Sequence, residues 1–168
     1  MLLQHGLDNF LSEEEFKRLT DIYPRFPLRF DGIVASSIKP VNEEWNWYAT
    51  HTFYKAGVKN SEYFQEVYDM FIPRFKEMGI DSGIERIKFN CYPCTEVMRE
   101  HKSHIDYDNS HQAAVFSLNT CDGFTRLPDG SKGNSIANRI IFFDGSQYHN
   151  SSTTTNSYAR YNINFNFL

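Results

Sequence analysis

Apolar and polar residues alternate along most of the second half of the chain, whereas the first half carries a helical period. Over residues 84–92, Ile87, Phe89 and Cys91 fall on one face and Arg86, Lys88 and Asn90 on the other, as a β-strand requires. Residues 113–119, 139–144 and 158–167 read as further strands, joined by polar, Gly-rich connections of which residues 122–135 are the longest. The last strand puts Ala159, Tyr161, Ile163, Phe165 and Phe167 on one side and Arg160, Asn162, Asn164 and Asn166 on the other. Earlier in the chain, Phe64, Val67, Tyr68, Phe71, Phe75 and Met78 recur at spacings of three and four, which predicts a helix over 61–78. Ser61 is placed to cap it, Gly79 to end it and Pro73 to kink it. A shorter helix follows the capping box Ser12-Glu13-Glu14-Glu15, presents Phe16 and Leu19, and ends before Tyr23-Pro24.

Residues 25–40 read as a loop with one strand near 31–37. The aromatic stretch 43–54 holds both tryptophans, Trp45 and Trp47; it reads first as a strand or loop on the core and second as a wall facing a substrate. The apolar stripe of the 61–78 helix needs a sheet to lie on, and the apolar side of the last strand offers one. The Arg160/Asn162/Asn164/Asn166 side would then line the interior, which is costly unless something polar binds there. Regularly spaced strands with flanking helices give a mainly β domain, a barrel or sandwich.

At 168 residues the chain is read as one domain, 1–168, with 1–80 as helical support and substrate-side segments and 84–168 as the barrel core. Fifteen Phe and ten Tyr suit an aromatic, sheet-rich interior. A formal charge of −4 gives no support for a nucleic-acid or anionic-membrane binder. No apolar run is long enough to cross a bilayer, and residues 1–8 lack the pattern of a signal peptide, so a cytoplasmic location is expected. Three cysteines, Cys91, Cys94 and Cys121, fit a reducing compartment. Cys91-Tyr92-Pro93-Cys94 has the spacing of half a zinc site, but no second pair completes it, and free thiols are expected.

Candidate chemistry centres on His104-Ile105-Asp106. On a strand, residues two apart share a face, so this stretch presents an imidazole beside a carboxylate. His149 adds a second imidazole, giving two nitrogens and one oxygen on one side of a metal, the set that holds non-haem iron(II) with positions left open. Arg160 follows after ten residues and can grip a carboxylate with two parallel hydrogen bonds.

This arrangement resembles the iron(II)- and 2-oxoglutarate-dependent oxygenases, most closely their small prolyl-4-hydroxylase-like members of bacteria and phages. The stretch from Asn138 to Asp144 resembles the apolar strand before the second histidine of that family, and Asp8-Asn9-Phe10-Leu11-Ser12 its N-terminal opening. The resemblance implies a jelly-roll core (a double-stranded β-helix of the cupin type). It also implies His104, Asp106 and His149 as iron(II) ligands and Arg160 as the partner of the far carboxylate of 2-oxoglutarate. Asn162 matches a position where relatives carry a small polar residue, and Tyr92 and Asn90 are further cofactor-binding candidates. O2 would be consumed, 2-oxoglutarate would become succinate and CO2, and the usual outcome is hydroxylation, with ascorbate supporting activity in vitro. Halogenating relatives lack the carboxylate that Asp106 supplies. Alkylation-repair relatives carry a second arginine where this chain has Asn166, which lowers the nucleic-acid reading further. A small molecule or a peptide, prolyl above all, is the expected substrate; the alternative is a non-enzymatic, cupin-like metal or small-molecule binding module. His101 and His111 are expected at the surface, with a place behind the metal ligands as their second reading; His5 and His51 carry no pattern, and Arg126 is expected to be a solvated loop charge with a substrate carboxylate as its second reading.

Overall fold

A computed structural model describes residues 6–31, 34 and 43–168. Helix α1 spans Glu13–Ile22 and opens on the expected capping box, with Glu15 N–H donating to the Ser12 hydroxyl and Ser12 N–H to the Glu15 carboxylate. Strands β1 (Arg29–Asp31), β2 (Tyr48–Lys55) and β3 (Val58–Lys59) precede helix α2 (Phe64–Glu77). There follow β4 (Ile84–Pro93), β5 (Gln112–Ser117), β6 (Phe124–Arg126), β7 (Lys132–Asn134), β8 (Arg139–Asp144), β9 (Asn150–Ser151) and β10 (Ala159–Phe167). The strand expected near 31–37 lies mostly outside the described residues; of it, Asp31 is the end of β1 and Val34 is a buried bend residue whose N–H donates to the Asn46 side chain.

One antiparallel sheet runs β1-β2-β4-β10-β5-β8, with β3 on the edge of β2, and a second runs β7-β6-β9. The segment 122–135 is therefore not the plain connection its composition suggests. Three-residue strands are too short to show a period, yet β6 and β7 form a hairpin that turns at Gly130, whose φ of 82° suits glycine. Gly133 on β7 is required for a different reason: a Cβ there would sit 2.3 Å from the Ile141 side chain.

Helix α2 starts at Phe64, not at Ser61. The Ser61 carbonyl accepts from Phe64 N–H and its hydroxyl from Tyr63 N–H, so Ser61 closes a turn just ahead of the helix. Gly79, at φ 76°, ends the helix as expected: its N–H donates to the Lys76 carbonyl and Ile80 N–H to that of Phe75. Pro73 lies inside α2 without ending it. Phe71 and Phe75 pack on Phe165, and Phe75 also on Phe167 and Phe142, so the helix covers the apolar face of β10 and its neighbours. This is the main core. A small cluster of Ala113, Val115, Leu127, Ile141 and Phe143 lies on the opposite face of the sheet.

Asn138 fastens the N-terminal segment to this framework. Its side chain accepts from Leu11 N–H and donates to the Leu11 carbonyl, both at 2.9 Å, and its own carbonyl accepts from Phe10 N–H. Its φ of 61° is one asparagine tolerates better than alanine. Asn138→Ala is expected to cost about 2–3 kcal/mol in urea unfolding, because it strands two buried backbone groups and adds left-handed strain.

Candidate metal centre

Residues 104–106 do not form a strand; they are held by backbone pairing instead. His104 and His149 exchange both main-chain hydrogen bonds, at 2.9 and 3.0 Å, and Asp106 N–H donates to the Gly145 carbonyl. This short ladder delivers the three side chains to one point. One ligand atom from each of His104, Asp106 and His149 lies within 4.8 Å of the others, the single such group among the described residues. Each histidine Nε2 is 3.8 Å from an Asp106 oxygen, one to each. The Nδ1 of His149 lies 2.8 Å from the Gln147 carbonyl, which fixes its proton there and leaves Nε2 with a lone pair facing the cluster.

Asp106 is almost fully buried and braced. Arg86 donates to one oxygen at 3.0 Å and Asn166 to the other at 2.7 Å. Burial alone would raise its pKa, but the Arg86 charge and the Asn166 hydrogen bond outweigh that and hold it below the usual carboxylate value. Burial, then the neighbouring His149, push the His104 imidazole down. An ionised carboxylate beside a neutral imidazole is the protonation pattern a divalent transition metal needs, so the donor set fits iron(II).

The cluster opens onto a cavity between the two sheets, lined among others by Arg86, Lys88, Asn90 and Tyr92 of β4, Asn162 and Asn164 of β10, and Thr125 of β6. The polar face of β10 thus points inward, and all four of its residues are buried. Asn90 donates to Asn162 at 2.9 Å. Arg160 is fully buried beneath this lining. Its Nη2 donates to the Thr125 hydroxyl at 2.8 Å and its guanidinium lies 5.5 Å from the Tyr92 ring, but Nε and Nη1 have no partner among the described residues. Gly123 makes room for it: a Cβ there would fall 2.7 Å from Arg160 Cδ and 2.8 Å from the Thr153 carbonyl. The sequence points to Arg160, Asn162, Tyr92 and Asn90 and to Asn166 as interior lining, but not to the bracing of Asp106 by Arg86 and Asn166 or to Lys88, although each shares a face with one of the named residues. Thr125 was hidden in the apparent loop.

Two histidines were misplaced. His101 and His111 are buried, not superficial. The isolated polar letters gave no warning, because burial comes from distant partners: His101 stacks between Trp45 and Tyr92 and bonds Ser151 at 2.8 Å, while His111 lies edge-on to Tyr107. His51 is buried too, bridging the Pro27 carbonyl and Ser61. Arg126 sits on β6 and pairs with Glu100, so it is already engaged by a carboxylate of the chain itself. Trp45 packs on His101 and Trp47 on Phe30, which favours the packing reading of that stretch. All three cysteines are free, and among the described residues the half zinc motif gathers no further ligands.

Burial pushes the His101 pKa down to about 4 from 6.5. An unfolded chain takes up that proton near 6.5 and the folded one does not, so stability falls as pH drops through this window. The contribution reaches about 3 kcal/mol at its lower end. His101→Phe is expected to lose that much less stability than the native chain between pH 7 and pH 4, measured by urea unfolding at each pH.

No family model matches the sequence, and no curated protein matches it. Solved structures do. A 2OG-Fe(II) oxygenase family oxidoreductase from Burkholderia pseudomallei superposes with a TM-score of 0.71 at 12% identity, over 96% of this chain and 83% of that one. A prolyl hydroxylase from Trichoplax adhaerens, solved with a hypoxia inducible factor oxygen degradation domain peptide fragment, gives 0.64 at 15% identity over 98% and 82%. A Pseudomonas putida prolyl-4-hydroxylase gives 0.61 at 14% identity over 97% and 91%. No helix of the described residues is long and apolar enough to cross a membrane. The two sheets and their covering helices therefore share the double-stranded β-helix fold of these solved oxygenases, and they carry a cluster of two histidines and one carboxylate.

Proposed function

We propose that the protein is an iron(II)- and 2-oxoglutarate-dependent dioxygenase that hydroxylates an organic substrate, with 2-oxoglutarate converted to succinate and CO2. His104, Asp106 and His149 would hold the metal and are also the catalytic set. Arg160 would bind the far carboxylate of 2-oxoglutarate, with Asn162, Tyr92 and Asn90 completing the polar wall around it. Residues 84–168 would supply the metal-binding barrel and residues 1–80 its support, as one domain; β2 of the earlier part nonetheless hydrogen-bonds directly to β4.

The observation that carries this reading is the Arg160 guanidinium, fully buried with two nitrogens unpartnered among the described residues. A cation enclosed without a counter-ion is costly, and a dicarboxylate entering beside a metal site removes that cost. When bound, the metal and the keto acid together supply O2 activation. The chain's own groups bind and orient: Arg86 and Asn166 keep Asp106 ionised and aimed, and Gln147 fixes the His149 tautomer. The likeness to prolyl hydroxylases makes a prolyl residue of a peptide the first substrate to try; other peptides and small molecules follow.

The decisive experiment is an anaerobic titration with iron(II) and 2-oxoglutarate, in which the chelate gives a visible charge-transfer band. Admission of O2 with ascorbate should then yield succinate. No band sinks the proposal. A band without succinate favours the second reading, a cupin-like binding module that keeps the barrel without turnover.

A further inference from the structure

Three cations face or underlie the cavity. Arg86 is engaged by Asp106, Asn164 and Asn166, all within 3.2 Å. Arg160 answers the far carboxylate of 2-oxoglutarate in the function proposed above. Lys88 has neither kind of partner. Its Nζ lies 5.2 Å from the centre of the Tyr48 ring, and among the described residues it makes no hydrogen bond and no ion pair. Yet Lys88 lines the cavity and is half-buried, and that burial pushes its pKa down to about 8. Its other charged neighbours are Arg86, Asp106, Asp31 and Lys55. Both of these acids are held elsewhere: Asp106 by Arg86 and Asn166, Asp31 by Thr50 and Arg29.

The sheet register sets the Lys88 backbone apart from that of Arg160. On β4, Lys88 lies between Asn164 of β10 and Thr52 of β2, whereas Tyr92 is the residue opposite Arg160. Lys88 and Tyr92 are four positions apart, about 13 Å along a strand. The Lys88 stem thus starts beside Arg86 on the β2 flank of the cavity, and its ammonium reaches the Tyr48 ring, which stacks on Tyr92 at 5.8 Å. A ring face attracts an ammonium but offers no acceptor atom, so the site lacks an anion.

We propose that Lys88 seats a carboxylate of the primary substrate, which makes the substrate class an acid and not a neutral chain. The inference rests on the proposed metal and 2-oxoglutarate sites. 2-Oxoglutarate brings two carboxylates of its own into the cavity, and the test separates them from that of the substrate.

The native protein is loaded with zinc(II), which binds without turnover, and with saturating 2-oxoglutarate. Propionate and N-acetyl-L-proline are then titrated beside their neutral amides by ligand-observed NMR. Native protein should prefer each acid by roughly tenfold or more, the worth of one charge-assisted pair. Lys88→Met should remove the preference and Lys88→Arg retain it. The 2-oxoglutarate midpoint of the anaerobic iron(II) band should stay within about twofold in Lys88→Met, which also shows that the variant folds. Equal binding of acid and amide, binding of neither, or a preference that survives Lys88→Met overturns the inference. A raised 2-oxoglutarate midpoint in Lys88→Met overturns it as well, because the ammonium then serves 2-oxoglutarate. Absence of the band in native protein overturns the function itself, so the two failures are distinct.

Discussion

His104→Ala is expected to abolish the iron(II)–2-oxoglutarate charge-transfer band at concentrations that saturate the native protein. One of three ligands is lost, and metal affinity should fall at least roughly 100-fold, beyond the 10–100-fold typical of changes to residues behind the ligands. The variant should still fold. The contact that ties residues 104–106 to 145–149 is main-chain to main-chain, and the His104 side chain is 30% exposed and at the rim. Thermal unfolding without metal should therefore match the native chain, so a missing band reports on the site alone. The native site should also lose metal on acidification. Protons compete for the imidazole, but burial holds His104 below its ordinary value of 6.5, so affinity should hold through neutral pH and fall only as pH drops below that value. Asp106, lowered from 3.8, stays ionised throughout that range. A band that persists in His104→Ala would remove this histidine from the proposed ligand set.

What could be read from the sequence was whatever depends on local period. The alternation in residues 84–92 and 158–167 identified β4 and β10, and the split of β10 into aromatic and Arg/Asn faces foretold both the helix-covered side and the polar interior. The Ser12–Glu15 box was legible because both of its bonds are made within one turn. Legibility ended where geometry is set by distant pairing. His104 and Asp106 share a direction because residue 104 pairs with residue 149, not because they lie on a strand. The three-residue strands β6 and β7 have too few letters to show a period, so Thr125 of the smaller sheet, which accepts a hydrogen bond from Arg160, could not be placed. His101 is buried by Trp45 from far earlier in the chain. Arg86 and Lys88 carry the same letter pattern as any solvated strand face; only the assembled sheet shows that their side points inward, where one braces Asp106 and the other is left without an anion.

Arg160→Met should move two measurements in opposite directions. The guanidinium is enclosed with Nε and Nη1 unpartnered, and burial disfavours its charge. Methionine follows the Arg160 stem as far as Nε and is apolar, so in the absence of 2-oxoglutarate the variant is expected to unfold at equal or higher urea concentration, as when other buried charges are replaced by apolar residues. The loss of one Thr125 hydrogen bond offsets this by only about 1 kcal/mol. With iron(II) and 2-oxoglutarate present, the sign reverses. A charge-assisted pair to a carboxylate contributes about 1.5–3 kcal/mol, so the 2-oxoglutarate midpoint should rise roughly 10- to 100-fold while metal binding alone is unchanged. Arg160→Lys should fall between, since an ammonium keeps the charge but not the planar fork. Gly123→Ala should act in the same direction as Arg160→Met on 2-oxoglutarate, because its methyl group would displace the Arg160 stem without removing the charge. Unlike Arg160→Met, however, it should destabilise the protein. An unchanged 2-oxoglutarate requirement in Arg160→Met would leave a buried cation with no task and take away the observation on which the proposed function rests.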